Sequence, residues 1–251
     1  KRTVHTLAAR PFSKPITLDE KMEPRLKEYC DNIDLRGNNL DTFCSEMFKG
    51  VMGYGMEYIF VEHPVRPEGV VTQADDAANN MRPYFVRVRT EQVLGWRIEI
   101  VNNVPTLTQF RFSEDVEEPD GEFGVRHVQQ VRVLERGTWR TYRANTGNGA
   151  WALYKEGVTT LNSIPIVPVL GERIDAMSGK PPLEQVAHLN IKHWQQQSDQ
   201  DNLMHVARVP ILTAKNVDDK FSLTVGASSA VKLGDAPNAD LFYCEHSGAA
   251  I

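Results

Sequence analysis

No run of apolar residues in this chain approaches the roughly 20 that a bilayer-spanning helix needs, so no such helix is expected. The opening stretch KRTVHTLAARPF lacks the apolar core of a secretory signal. Cysteine is scarce. Cys30, Cys44 and Cys244 are odd in number and widely spaced, and they form neither a CxxC pair nor a disulfide framework. Reduced, packed thiols in a cytosolic setting are expected. Positive charge is also short: 28 Lys and Arg stand against 33 Asp and Glu, a formal charge of -5. Wrapping nucleic acid needs a dense cationic footprint, which this balance argues against. It leaves room for nucleic acid that passes close by without being gripped.

Enzyme signatures are missing as well. A phosphate-binding loop needs GxxxxGK followed by Ser or Thr. At Gly179–Lys180 the residue five before Gly179 is Ile174, and Pro181 follows the lysine. His188 and His193 lie five apart and share a helical ligand face poorly. Glu184–His188 reverses the HExxH order, so no metal is expected. Gly226–Ala230 (GASSA) is a loose version of a nucleophile elbow. Ser228 with His246 and Asp240 would make a triad in the wrong chain order, and no parallel βαβ framework precedes the serine. Asp75 and Asp76 read as solvated loop residues. No catalytic set and no cofactor follow from these residues.

What the chain does have is enough for a sizeable core: 251 residues, 41% hydrophobic and 24% charged. The missing initial Met and the apolar start at SGAAI suggest a portion of a longer protein. Pro11, Pro15 and Pro24 interrupt one or two opening helices. Asn39–Tyr54 reads as a helix capped by Asn38 or Asn39, with Leu40, Phe43, Cys44, Met47, Phe48 and Val51 on one face. Met56–Glu62 then reads as a strand packed against that helix, and Glu68–Arg82 as a surface loop. From Pro83 the period changes to two, which predicts an antiparallel meander. Its strands are Tyr84–Arg89, Gly95–Val101, Thr106–Phe112, Val125–Glu135, Thr138–Ala144 and Trp151–Lys155. An Asn102–Asn103 turn, an acidic loop at Glu114–Glu122 and a turn at Asn145–Gly149 separate them. Val128, Val131, Val133, Trp139 and Tyr142 are the candidate inward residues. Ile164–Leu170 reads as an extended segment, and short strands are expected at Phe221–Val225, Ala230–Leu233 and Asp240–Glu245. The class is α+β.

Pro181–Val209 is a long helix running into a strand at Pro210–Ala214. Leu183, Val186, Ala187, Asn190, Ile191 and Trp194 recur at i, i+3 and i+4, while Gln195, Gln196, Gln197 and Asp199 stay wet. About 26 residues would span roughly 39 Å, more than the usual three turns. The simplest reading is a helix covering a sheet; its length also suggests a strut or an interface element.

Four stretches carry a resemblance: Asn32–Phe43 (NIDLRGNNLDTF), Arg82–Trp96 (RPYFVRVRTEQVLGW), Leu189–Leu212 (LNIKHWQQQSDQDNLMHVARVPIL) and Gly234–Ile251 (GDAPNADLFYCEHSGAAI). On these the chain resembles an uncharacterised-domain family of tailed-phage and prophage proteins that are portals or portal-like. The resemblance implies a ring, typically dodecameric, at one capsid vertex, through which double-stranded DNA enters on packaging and leaves on ejection without sequence-specific binding. It implies a wing-like α+β domain over 1–180, a stem-type or stem-adjacent helix over 181–209 and a clip-like β segment over 210–251. It also implies a large terminase, a head–tail adaptor, and the major capsid and scaffolding proteins as partners. The place would be the virion's portal vertex, and the bacterial host cytoplasm during assembly. Such a subunit would be a conduit and docking platform, not an enzyme, with nucleotide hydrolysis left to the terminase. In that ring Val186, Ile191 and Trp194 would pack the helix, and Gln195, Gln196 and Asp199 would face the channel or a neighbour. The alternatives are a non-portal virion adaptor and a hydrolase built on Ser228 and His246.

Overall fold

The computed structural model describes residues 2–64, 72–144, 149–207, 211–217, 233 and 237–244. The chain divides into two compact units, Lys1–Glu184 and Gln185–Ile251. In the first, the helices are α1 (Arg2–Ala9), α2 (Pro24–Asp31), α3 (Leu40–Tyr54) and α4 (Gln73–Ala78). The strands begin with β1 (Met56–Glu62), β2 (Tyr84–Val88), β3 (Val93–Val101), β4 (Val104–Asp120) and β5 (Gly124–Glu135). They continue with β6 (Thr138–Ala144), β7 (Trp151–Val158), β8 (Ile166–Leu170), β9 (Glu172–Arg173) and β10 (Gly179–Lys180). Then come α5 (Glu184–Ala207) and, in the second unit, β11 (Ile211–Lys215) paired antiparallel with β12 (Asp240–Cys244). The class is mixed α+β with antiparallel sheets.

The first unit is layered. Asn39 caps α3, its side chain accepting from the Thr42 N–H at 2.9 Å. Phe43 and Met47 of α3 pack on Ile59, Phe85 and Val169, one face of a three-stranded sheet in the order β2-β1-β8. The other face of that sheet carries Tyr58, Phe60, Val88 and Ile166. These meet Phe110, Phe112 and Leu134 of a five-stranded sheet in the order β3-β4-β5-β6-β7. Tyr58 and Phe110 are 5.2 Å apart between ring centroids, and Phe60 and Phe112 5.8 Å. Burying each such side chain contributes about 1.5–3 kcal/mol, so this seam holds the two sheets together.

Two glycines permit close approaches. Gly55 ends α3 in the left-handed region (φ 83), its N–H bonded to the Val51 carbonyl at 2.8 Å. A Cβ there would lie 2.4 Å from the Lys180 carbonyl carbon. At Gly50 a Cβ would meet the Glu57 carboxylate at 1.5 Å, so the strand's acid reaches α3 only because the helix has no side chain there.

Several expectations change. The meander is two sheets: β2 pairs with β1, not β3. The acidic loop Glu114–Glu122 is mostly strand, since β4 runs on to Asp120 in unbroken register with β5. Cross-strand pairs such as Glu118–Arg126 offset the repulsion that made it read as a loop. Within the expected loop Glu68–Arg82, α4 forms because Thr72 and Asp75 cap each other. The Thr72 N–H and hydroxyl donate to Asp75 at 3.0 and 2.7 Å, and the Asp75 N–H returns to Thr72 Oγ1 at 3.2 Å. Asp75 and Asp76 therefore open a helix. On β5 the inward residues are Gln130 and Leu134, so Val131 and Val133 point to the other face; on β6 Trp139 packs against the core as expected. The calls at Asn145–Gly149, apart from Gly149 itself, at Phe221–Val225 and at Ala230–Leu233, apart from Leu233, lie outside the described residues.

Candidate functional site

The long helix forms, three residues later than Pro181 implied. It runs Glu184–Ala207, 24 residues, after a turn in which the Glu184 N–H donates to the Pro181 carbonyl at 3.1 Å. At 1.5 Å per residue it is about 36 Å long. Every residue from 185 to 203 is exposed. Trp194 is 70% exposed, Leu189 66%, Ile191 55% and Val186 48%. Gln195, Gln196 and Asp199 are exposed too.

Helical geometry explains why one sheet would not satisfy this element. At about 100° per residue, Ala187, Trp194 and Ile191 share one side, with Val186 at its margin. Leu189 falls about 140° from Trp194, and Leu203 diametrically opposite. Gln196 and Asp199 lie on that second side with His188 and Lys192, while Gln195 sits between the two, about 40° from Ile191. Apolar groups on both sides suit neighbours on more than one side. Gln197 donates to Asp201 at 3.2 Å, a one-turn bond that stiffens the helix.

The second candidate is a cleft of about 780 Å³ in the first unit, lined along β2 by Tyr84–Val88. Thr42 and Glu46 of α3 line one wall, and Glu114 and Glu117 of β4 another. Several charges in and beside it are paired. Glu57, 1% exposed, receives two hydrogen bonds from Arg87, at 2.5 and 2.7 Å. Burial pushes the Glu57 carboxyl above its ordinary range, and Arg87 opposes that rise. Arg87 also stands 3.6 Å from Glu46. The Glu46 carboxyl is held below its usual range by the Lys49 ammonium, 2.5 Å away. Arg132 donates to Glu62; its Nε lies 2.9 Å from Glu114 but too far off axis for a hydrogen bond. Tyr84 donates to Glu62 at 2.9 Å, and burial raises its phenol well above the usual value. These guanidinium and carboxylate groups neutralise each other, whereas Glu117 on the β4 wall has no cationic partner among the described residues.

None of these cleft residues was singled out from sequence. Lys49 and Glu46 are one helical turn apart, but the other pairs lie 18 to 70 positions apart, and no local spacing signals them. Lys180 and Gly179 form β10, paired with Glu172 and Arg173, so the chance GK lies on a strand and not in a phosphate loop. His188 and His193 are exposed on α5. Among the described residues no group of three or more His, Cys, Asp or Glu is placed to hold a metal, and no helix is long and apolar enough to cross a membrane. Ser228 and His246 lie outside the described residues. Cys30 and Cys44 are free thiols, Cys30 being buried.

A protein-family model described as a domain of unknown function (DUF4055) matches residues 182–251, covering α5, β11 and β12. No curated protein matches the chain.

Proposed function

We propose that this chain is a subunit of a portal or portal-like ring of a tailed phage or prophage, with α5 as a stem-type element contacting neighbouring copies. The observation that carries the reading is the exposure of α5, whose Val186, Leu189, Ile191 and Trp194 a single chain leaves in water. A helix with apolar groups on two sides gains most from flanking copies, the arrangement of a head-to-tail ring. The four stretches of resemblance support the same reading. So does the net charge of -5, since a conduit for DNA works best when the duplex slides past without being held.

In this reading the first unit is the wing and the region after α5 leads into a clip. Val186, Ile191 and Trp194 pack against neighbours, while Gln195, Gln196 and Asp199 face the channel or a polar seam. The ring is a passive conduit and docking platform for a large terminase, a head–tail adaptor, and the capsid and scaffold. The test is the native mass of the full-length chain, with negative-stain images of the same sample. A ring of about twelve copies with a central hole wide enough for duplex DNA is the expected result. A persistent monomer or dimer would contradict it.

A further inference from the structure

The β4–β5 hairpin outruns the rest of its sheet. β3 accompanies β4 only as far as the Val93–Phe112 pair, with Ser113 Oγ donating to the Gln92 carbonyl just beyond. β6 accompanies β5 only from the Arg143–Gln130 pair inward. From Asp115 to Gln129 the two strands pair only with each other among the described residues, as far as Asp120 and Gly124. Six residues of strand make a ribbon projecting roughly 20 Å. Its tip turns through Gly121 (φ 70) and presents Phe123, 92% exposed, beside Val125, 61% exposed.

The ribbon's acids differ in their partners, and Asp115 stands 3.3 Å from the His127 ring. Glu114 and Glu118 are held by Arg132, Arg126 and Arg143. Glu117, Asp120 and Glu122 are exposed and have no cationic partner among the described residues. Pro119 removes an N–H from the ribbon's edge, and like charges line it, so addition of a further strand is disfavoured. Contact through side chains at the tip is the remaining mode.

A surface of opposite character lies at the other end of the sequence. From Arg2 to Leu18 the chain carries Arg2, Arg10 and Lys14 and no acid. The three cations are exposed, and none makes an ion pair among the described residues. Ile16, 38% exposed, adds an apolar spot, pinned by its N–H to Asp41 Oδ1 at 2.6 Å. This surface is seated on one flank of α3, where Phe12 meets Phe48 edge-on at 5.9 Å.

We infer that the acidic β4–β5 ribbon of one copy docks on the basic N-terminal face of the next. Glu117, Asp120 and Glu122 meet Arg2, Arg10 and Lys14, and Phe123 supplies the apolar anchor. Two different, complementary surfaces on one chain produce head-to-tail association, which closes into rings or runs on into filaments. A nucleic acid would be repelled by the three carboxylates, and the three-to-three charge match favours a second copy of this chain. The inference rests on the multi-copy reading of α5 but uses none of its residues.

The experiment reads native mass of the full-length chain against concentration at fixed salt, for wild type and charge-reversed variants. E117K/D120K/E122K is expected to raise the concentration needed for assembly at least about tenfold, and R2E/R10E/K14E to do the same. The six-fold variant combining both sets restores assembly, which misfolded singles could not do. An arm variant that assembles at the wild-type concentration overturns the inference and leaves the α5 reading standing. So does a six-fold variant as weak as its parents. A wild type that stays monomeric overturns both.

Discussion

The two parts of this chain solve opposite problems. In the first unit the large side chains at the sheet–sheet seam have partners: Tyr58 and Phe110 are 0% exposed and Phe112 1%. Its buried acid, Glu57, is matched by Arg87. Along α5 the reverse holds, and Trp194 keeps 70% of its surface in solvent. A lone helix of that length, carrying Asn190, Ser198 and Asn202 among its residues, is marginal in water without packing. The first unit carries its own stability, whereas in the proposed ring α5 draws on neighbouring copies. Damage to the first unit should therefore appear in melting, and damage to α5 in assembly.

The largest effect on melting is expected from Arg87→Leu. It leaves Glu57 under α3 without its counter-charge, and breaking a buried pair from one side costs about 3–5 kcal/mol. Thermal unfolding of the full-length chain reads this directly, and an unchanged midpoint would mean that Glu57 is not committed to Arg87. Gly50→Ala comes next. Its methyl would collide with the Glu57 carboxylate, 1.5 Å from the Cβ position, and overpacking of this kind costs about 1–3 kcal/mol. Glu57→Gln combined with Gly50→Ala should recover none of that loss, because the amide is as large as the acid.

The pH dependence is a smaller effect with two windows of opposite sign. Glu57 has a raised folded-state value. Its stabilising share is full below the unfolded value of 4.5 and is lost as pH rises through the raised one. Glu46, held by Lys49, and Glu135, held by Gln109 and then Arg140, have lowered values. Their share is present above 4.5 and lost as pH falls through the lowered values. Melting should thus rise slightly as pH falls from neutral towards 4.5, then decline. Glu57→Gln should flatten the rise and keep the decline; a variant retaining both would assign the upper window to another group.

Sequence pattern reached the elements whose cause is local. The 3.6-residue spacing of Phe43, Met47 and Val51 and the cap at Asn39 placed α3, and the alternation from Val125 to Glu135 placed β5 with its hairpin turns. It did not reach what depends on partners far along the chain. That β2 leaves the meander to pair with β1 follows from a core shared with β8, about 80 residues on, which alternation alone does not encode. The ribbon at Glu114–Asp120 read as a loop because its acids crowd in sequence, whereas in space Arg126, Arg132 and Arg143 answer Glu114 and Glu118. On α5 the period identified the helix but not the exposure of its apolar side chains, since a stripe facing a sheet and one facing solvent read alike.

The comparison is tested most directly by sedimentation of Trp194→Asp beside wild type, both full-length, with Gln196→Ala as the control. Trp194→Asp is expected to lose assembly while its melting changes by less than about 0.5 kcal/mol, as for an exposed site, and Gln196→Ala to leave both untouched. A Trp194→Asp variant that assembles as wild type does would show that this side of α5 is not where copies meet.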